Sequence, residues 1–573
     1  MDLYRNKTTT LCSALLAIVI WGCSGSGSES GPDNENRVVE VRLTAPVTTL
    51  LVGFGSERLP LSATALNSNG QAIQGKSFAW SSDNTGIASV DPSGLVRPLG
   101  FGSVVISAEV DGVMDRLEIS LEQESKEPFS AQETISFVNV SLISMEQNGV
   151  AANRTVVVEN GVISEIGPAE TLMARGTIIE GNGGYLMPGL ADMHTHVGAN
   201  VTESGMGRNA ALWSLTSKGQ LLSYLANGVT TILNNGDFGE PINQWGQDVM
   251  ARTYPGPTIY AAKWARGPQD GVGNGHDLVD VADAAQHVYT SKAEGYDFIK
   301  VYNQTPPFAI PAFVEHATYA GMGVFGHLPQ TQSATRTLNQ EMSMVAHSAA
   351  YFWTHFGFST NEDLITSALE VTLENGTYLT TTLAIEKTIA KIWCGNQEAW
   401  QALLARPSLR YVHHPTSLRI WLNGFNGSRW NPQGCSIGGF DARNAFQEKY
   451  TKIFYEAGIP FLLGTDSPTV LGAAGFSIHL ELEELQEMGI DNYNILKMGT
   501  VHAGRYINTH IYRSLPFGTV VEGARADLIL LKENPLEDLA ALKARVGVMA
   551  RGHWYTEAFL QEALEDLAQE YGN

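Results

Sequence analysis

The chain has 573 residues, 43% of them apolar, with 58 glycines and a formal net charge of −23. That length suffices for about three or four domains, and the apolar share for sizeable cores. The acidic balance argues against a nucleic-acid binder, which would carry a basic face; it serves solubility and leaves a small-molecule substrate open.

The first residues, MDLYRNKTTTLCSALLAIVIWGCSGSGSES, join a basic start (Arg5, Lys7) to an apolar stretch from Leu11 to Trp21 and then Cys23. This is the grammar of an export signal, and the apolar run is too short for a comfortable membrane span. Ile20-Trp21-Gly22-Cys23 resembles a bacterial lipobox, with Trp21 an unusually bulky entry. The resemblance implies a signal over residues 1–22 and a lipidated Cys23, with a plain signal peptide as the alternative. Ser24 after the cysteine points, by the same analogy, to the outer membrane, facing the periplasm or the cell surface. The membrane is then met through a lipid anchor only. Cys394 and Cys435 remain beyond this region. Two cysteines in an oxidising compartment are available to pair, but sequence does not bring their Cα atoms within bonding range.

Residues 23–37 are Gly/Ser-rich and polar and read as a flexible tether. From 38 to 123, short runs rich in Val, Ile and Leu are split by turn residues, as in an antiparallel sandwich. The stretch WSSDNTGIASVDPSGLVRPLGFGSVVISA resembles bacterial Ig-like group 2 domains, which implies a spacer or adhesive unit. After the polar linker EQESKEP, strand-like runs such as RTVVVENGVISEIGP appear, with Asn160-Gly161 as a hairpin turn. Similar material returns near the C-terminus, so residues 134–186 and 514–556 predict one small composite β-sandwich built from both flanks. Between them, residues 187–513 alternate strand-like and helix-like stretches: GYLMPGLADMHTH, GVTTILNN, GPTIYAAK, YDFIKVY, GMGVFGH, SMVAHS, GTYLTTTL and IPFLLGTD. Eight such strands predict a (β/α)₈ TIM barrel. A long connection near 383–440, rich in tryptophan and holding both remaining cysteines, predicts a substrate-shaping lid; the plainer reading is a helical excursion of the barrel wall. Residues 557–573 read as an amphipathic helix.

In such a barrel the working residues cluster at the C-terminal ends of the strands. Strand one ends in His194 and His196, strand four in Lys300, strand five in His327, strand six in His347 and strand eight in Asp466. Residues two apart on a strand share a face, which aims both opening histidines, and Lys300 with Tyr302, at the barrel axis. Imidazole and carboxylate are good ligands for zinc and its neighbours. A lysine buried beside cations loses its proton readily, and its neutral amine can add carbon dioxide to form a carbamate.

PGLADMHTH, DFIKVY, GHLP, VAHS and GTDS together resemble the amidohydrolase superfamily, in its binuclear, carboxylated-lysine branch with prolidase- and imidazolonepropionase-like members. The resemblance spans about residues 134–556. It implies two divalent ions, most readily zinc: one held by His194, His196 and Asp466, the other by His327 and His347. N6-carboxylated Lys300 bridges them. It also implies hydrolysis of an amide bond (a non-peptide C–N bond, a dipeptide or an N-acyl amino acid) or an ester-like bond by a metal-bridging hydroxide. Asp466 is then the catalytic proton acceptor and donor. Tyr302 is a candidate substrate contact, or core packing. His276, in GVGNGHDL, resembles a prolidase-like substrate contact, or is simply part of a turn.

Other readings stay open. Gly434-Cys435-Ser436-Ile437-Gly438 satisfies the serine-hydrolase elbow pattern, but NGFNGSRWNPQ before it lacks the strand that motif needs. A lactonase or phosphotriesterase would use the same site, a one-metal deaminase would have no need of Lys300, and a cell-surface binding protein would work through the Ig-like region. Oligomeric state and native metal are open.

Overall fold

In the computed structural model of this chain the described residues are 36–52, 57–123, 133–197, 218–236, 242–265, 278–394, 397–412, 437–469, 472–511 and 515–571. Among them no helix is long and apolar enough to cross a membrane. The export segment, Cys23, His276, Cys435 and Ser436 lie outside the described residues, as does the side chain of Cys394.

The N-terminal part is all β. Glu40–Thr44 pairs with Ser62–Leu66. A four-stranded sheet runs in the order Thr49–Val52, Val113–Gln123, Gly102–Val110, Ala79–Ser82, and a three-stranded one in the order Leu59–Pro60, Leu95–Pro98, Ala88–Val90. Alternation along Gly102–Val110 buries Val104, Ile106 and Ala108. Its hairpin closes through Asp111 and Gly112, both at positive φ, the conformation that favours Asp-Gly in two-residue turns. This region is docked on the barrel. The Tyr289 hydroxyl donates to the Arg58 carbonyl at 3.1 Å, the Arg58 amide donates to the Tyr319 carbonyl, and the two cores form one apolar cluster.

Strands from both flanks of the barrel join a single mixed sheet of eight. Thr134–Leu142 pairs with Ala151–Glu159 and Tyr185–Pro188, and the latter pairs antiparallel with Leu528–Leu531. Asn160-Gly161 makes the expected hairpin, both residues at positive φ. The run GYLMPGLADMHTH is therefore two strands in two sheets, divided at Gly189.

The barrel strands are β1 (Leu190–Thr195), β2 (Val229–Asn234), β3 (Thr258–Ala265), β4 (Phe298–Val301), β5 (Gly323–Gly326), β6 (Met344–Ala346), β7 (Tyr378–Thr380) and β8 (Phe461–Leu462). They pair in parallel in sequence order, and a bridge from Thr195 to Ser467 nearly closes the ring. Period-two patterning accounts for the layers. Met193, Leu233, Ala262, Phe298, Phe325, Met344 and Leu462 pack together inside the barrel, while Ile232, Ile299, Val301, Val324 and Val345 pack outside in the helix layer. Phe298 meets Phe325 edge-on at 5.6 Å and stacks on Tyr506 at 5.9 Å; such pairs add about 0.5–1.5 kcal/mol each beyond buried area. Below, the Arg525 guanidinium donates to Thr231 (2.7 Å) and Tyr260 (3.2 Å), tying the composite sheet to the barrel floor. The described parts of the connection between β7 and β8 include four helices: Leu383–Cys394, Gln397–Leu404, Leu409–Val412 and Ile437–Glu456.

Candidate metal centre

Backbone zipping between β1 and the segment after β8 assembles the first group of ligands. The Asp466 amide donates to the His194 carbonyl and the His196 amide to the Ser467 carbonyl, both at 2.8 Å. The buried Asp192 carboxylate completes the seam, accepting from the amides of Thr465 (3.0 Å) and His194 (3.2 Å) and from the Thr465 hydroxyl (2.6 Å). The potential ligand atoms of His194, His196 and Asp466 consequently lie within 4.8 Å of one another. Alternation alone does not achieve this: Met193 already points into the barrel core. A register irregularity between Asp192 and Thr195 accompanies the turn of His194 and His196 to the rim.

The remaining predicted residues adjoin this group. Lys300 Nζ, buried, lies 3.3 Å from His194 Nε2. The His347 ring centroid is 4.2 Å from that of His194 and 4.9 Å from that of His327. Gly326 lets β5 approach β4: at φ +150, a Cβ there would stand 2.1 Å from the Val301 carbonyl oxygen. His347 and Asp466 themselves hold positive φ, at 73° and 58°, a conformation that costs non-glycine residues energy and concentrates at functional sites.

The donor set fits cations. His196 Nδ1 faces the Gly236 carbonyl at 3.3 Å, and His327 Nδ1 faces Asn303 Oδ1 at 2.7 Å. His347 Nδ1 lies 2.9 Å from the Thr382 hydroxyl, which donates its own proton to the Thr381 carbonyl at 2.8 Å. In each case the partner is an acceptor, which favours the tautomer with the hydrogen on Nδ1 and the lone pair on Nε2, the form in which an imidazole binds a metal. His327 Nε2 is buried with no hydrogen-bond partner among the described residues, and so is His194 Nδ1.

Electrostatics agree. Burial, reinforced by Lys300, pushes the His194, His196 and His327 imidazoles below their ordinary range, and burial drives His347 down to about 3. Burial lowers Lys300 to about 7. It pushes Asp466 the other way, but His347, His196 and Lys300 outweigh it and hold the carboxyl below its usual value. Neutral imidazoles and an ionised carboxylate are the forms that bind metal.

Tyr302 faces the same pocket, its ring 4.5 Å from that of His327 and stacked on Trp264 at 5.2 Å. Trp264 also meets His196 edge-on, and Trp353 lies 5.5 Å from His327. Sequence reasoning missed Trp264, Trp353, Asn303, Thr382 and Asp192. Only Trp264 carried a signal, being the last aromatic residue of an apolar strand. His355, at the end of the helix that follows β6, contacts Ser367 at 3.0 Å.

Barrel and site together define a hydrolase with a candidate metal centre. The pattern of the Amidohydrolase family matches residues 185–555, more than half of the chain. The chain belongs to the amidohydrolase family and is an enzyme acting on carbon–nitrogen bonds. Among solved structures it is similar to a bottromycin amidohydrolase (TM-score 0.58, 22% identity, covering 78% of this chain and 95% of that one). It is also similar to a Xaa-Pro dipeptidase with bound methionine (0.54, 18%, 74% and 100%) and to the ochratoxinase of A. niger (0.52, 17%, 74% and 96%). At these identities the likeness is one of fold. No curated protein matches the chain.

Proposed function

We propose that this enzyme is a binuclear hydrolase of amide bonds in dipeptides, N-acyl amino acids or related small molecules. His194, His196 and Asp466 would hold one ion and His327 and His347 the other, with Lys300, carboxylated by carbon dioxide, between them. The observation that carries the reading is the convergence of His194, His196 and Asp466 within 4.8 Å, with the His347 ring centroid 4.2 Å from that of His194. When bound, divalent ions such as zinc supply an acidified water and polarise the scissile carbonyl. The chain's own residues do the rest. Asp466, ionised at neutral pH, accepts the water proton and returns it to the leaving nitrogen. Tyr302 orients substrate beside His327, with the Trp264 face behind it. The imidazoles stay neutral and hold their lone pairs inward.

The same reading makes residues 1–22 an export signal, Cys23 the lipid anchor of an outer-membrane lipoprotein, 38–123 an Ig-like module and 383–440 a lid, with His276 a substrate contact. The test is a screen of zinc-loaded protein against dipeptides, N-acyl amino acids, lactones and aryl esters, with chelator controls. Chelator-reversible cleavage of an amide class is expected. Cleavage that survives chelation and is lost in Ser436→Ala would overturn the reading.

A further inference from the structure

Glu481 lies on the helix Ser477–Glu487, outside the ligand set, and is fully buried. Its carboxylate makes no ion pair among the described contacts. Instead Oε1 accepts from the Thr381 hydroxyl and from the Leu383 amide (3.0 Å), and Oε2 accepts from the Ala384 amide (2.9 Å). Leu383 and Ala384 open the helix Leu383–Cys394, whose first amides have no partner within the helix. Both oxygens of one carboxylate thus grip three donors within the four residues 381–384, just past β7.

At the centre of that grip sits Thr382, with φ +49. A β-branched residue avoids this conformation unless its surroundings impose it. The imposed geometry has a specific product. It directs the Thr382 hydroxyl to 2.9 Å from His347 Nδ1, and the neighbouring Thr381 carbonyl accepts that hydroxyl's proton. The same carbonyl also accepts from the Ser348 hydroxyl at 3.1 Å, joining the turn to the residue after His347. The chain of contacts runs from Glu481 through Thr381 and Thr382 to the ring of His347.

We infer that Glu481 is a positioning residue for the second cation: it locks the 381–384 turn so that Thr382 fixes the His347 tautomer with Nε2 toward the metal. The inference rests on the binuclear reading above. A carboxylate suits this position because three donors converge on it. A glutamine would turn an NH₂ toward the Ala384 amide, setting donor against donor.

The test is zinc content after loading and gel filtration, by mass spectrometry of the metal, together with resistance of each ion to a graded chelator. Wild type, Glu481→Gln, Thr381→Val, Thr382→Val and Thr382→Ser are compared, with circular dichroism and Tm as controls. Wild type is expected to retain two ions. Glu481→Gln, Thr381→Val and Thr382→Val should hold the second ion at least tenfold more weakly and keep the first, while Thr382→Ser, which keeps the hydroxyl, retains both. Should Glu481→Gln fail to fold, Thr381→Val breaks the same grip more gently and decides alone. Two ions held as tightly as in wild type, even with a lowered Tm, would overturn the inference and leave the binuclear reading standing. A wild type that takes up fewer than two ions would overturn both.

Discussion

Nε2 of His196 lies 3.2 Å from Oδ1 of Asp466, although one residue follows the first barrel strand and the other follows the last. The nearly closed ring makes them neighbours, and the Asp192–Thr465 seam holds them at that distance. Much of the chemistry depends on this pair, because the same carboxylate is candidate ligand and proton acceptor.

Asp466→Asn should therefore fold and lose activity. Loss of a general base typically removes about 10²–10⁴-fold in rate, and loss of a ligand adds to it. Steady-state kinetics on the substrate found by screening, with the Tm as control, checks this. Activity within threefold of wild type would refute the assignment.

Asn303 holds the tautomer of His327 through its 2.7 Å contact. Asn303→Leu leaves Nδ1 buried without an acceptor, and metal affinity should fall about 10–100-fold. Chelator competition measures it.

Lys300 gives a pH-dependent prediction for the metal-free, carbon dioxide-free chain. Burial lowers the folded amine to about 7 from its ordinary 10.5. Between those values the unfolded lysine binds a proton that the folded one does not, so this residue's contribution makes stability rise with pH. Below pH 7 the full destabilisation is present. Lys300→Met should raise the Tm at pH 7, and that gain should shrink as pH is raised toward 10.5. Thermal melts of both proteins across pH 6.5–10 would show a constant or growing gap if the lysine is instead ordinarily solvated.

Gly236 supports Trp264. It holds φ +114, and a Cβ there would stand 2.0 Å from the indole Nε1. Its carbonyl also faces His196 Nδ1. Gly236→Ala should cost about 1–3 kcal/mol, read as a lower denaturation midpoint, and should weaken metal binding as well.

The candidate cluster of His194, His196 and Asp466 was legible because these residues stand at or just past the ends of apolar strands, and a parallel barrel brings strand ends to one rim. The boundary within YLMPGLADM was not. Both strands there are apolar, and only the partners of Tyr185 and Leu190, supplied by distant parts of the chain, separate the composite sheet from the barrel. The parity switch after Met193 was likewise hidden, since period two predicts that either Met193 or His194 faces inward. Asn303, Thr382 and Glu481 look like ordinary loop and helix residues in sequence; their roles come from tertiary contacts across the barrel rim. The proposed roles of His276 and of Cys394 with Cys435 fall outside the described residues and side chains.

The most direct measurement is a crystal structure of zinc-loaded protein with anomalous data at the zinc edge. Two peaks are expected, one against His194, His196 and Asp466 and one against His327 and His347, with added density on Lys300 Nζ between them. A lone peak, or peaks elsewhere with Lys300 unmodified, would contradict the account.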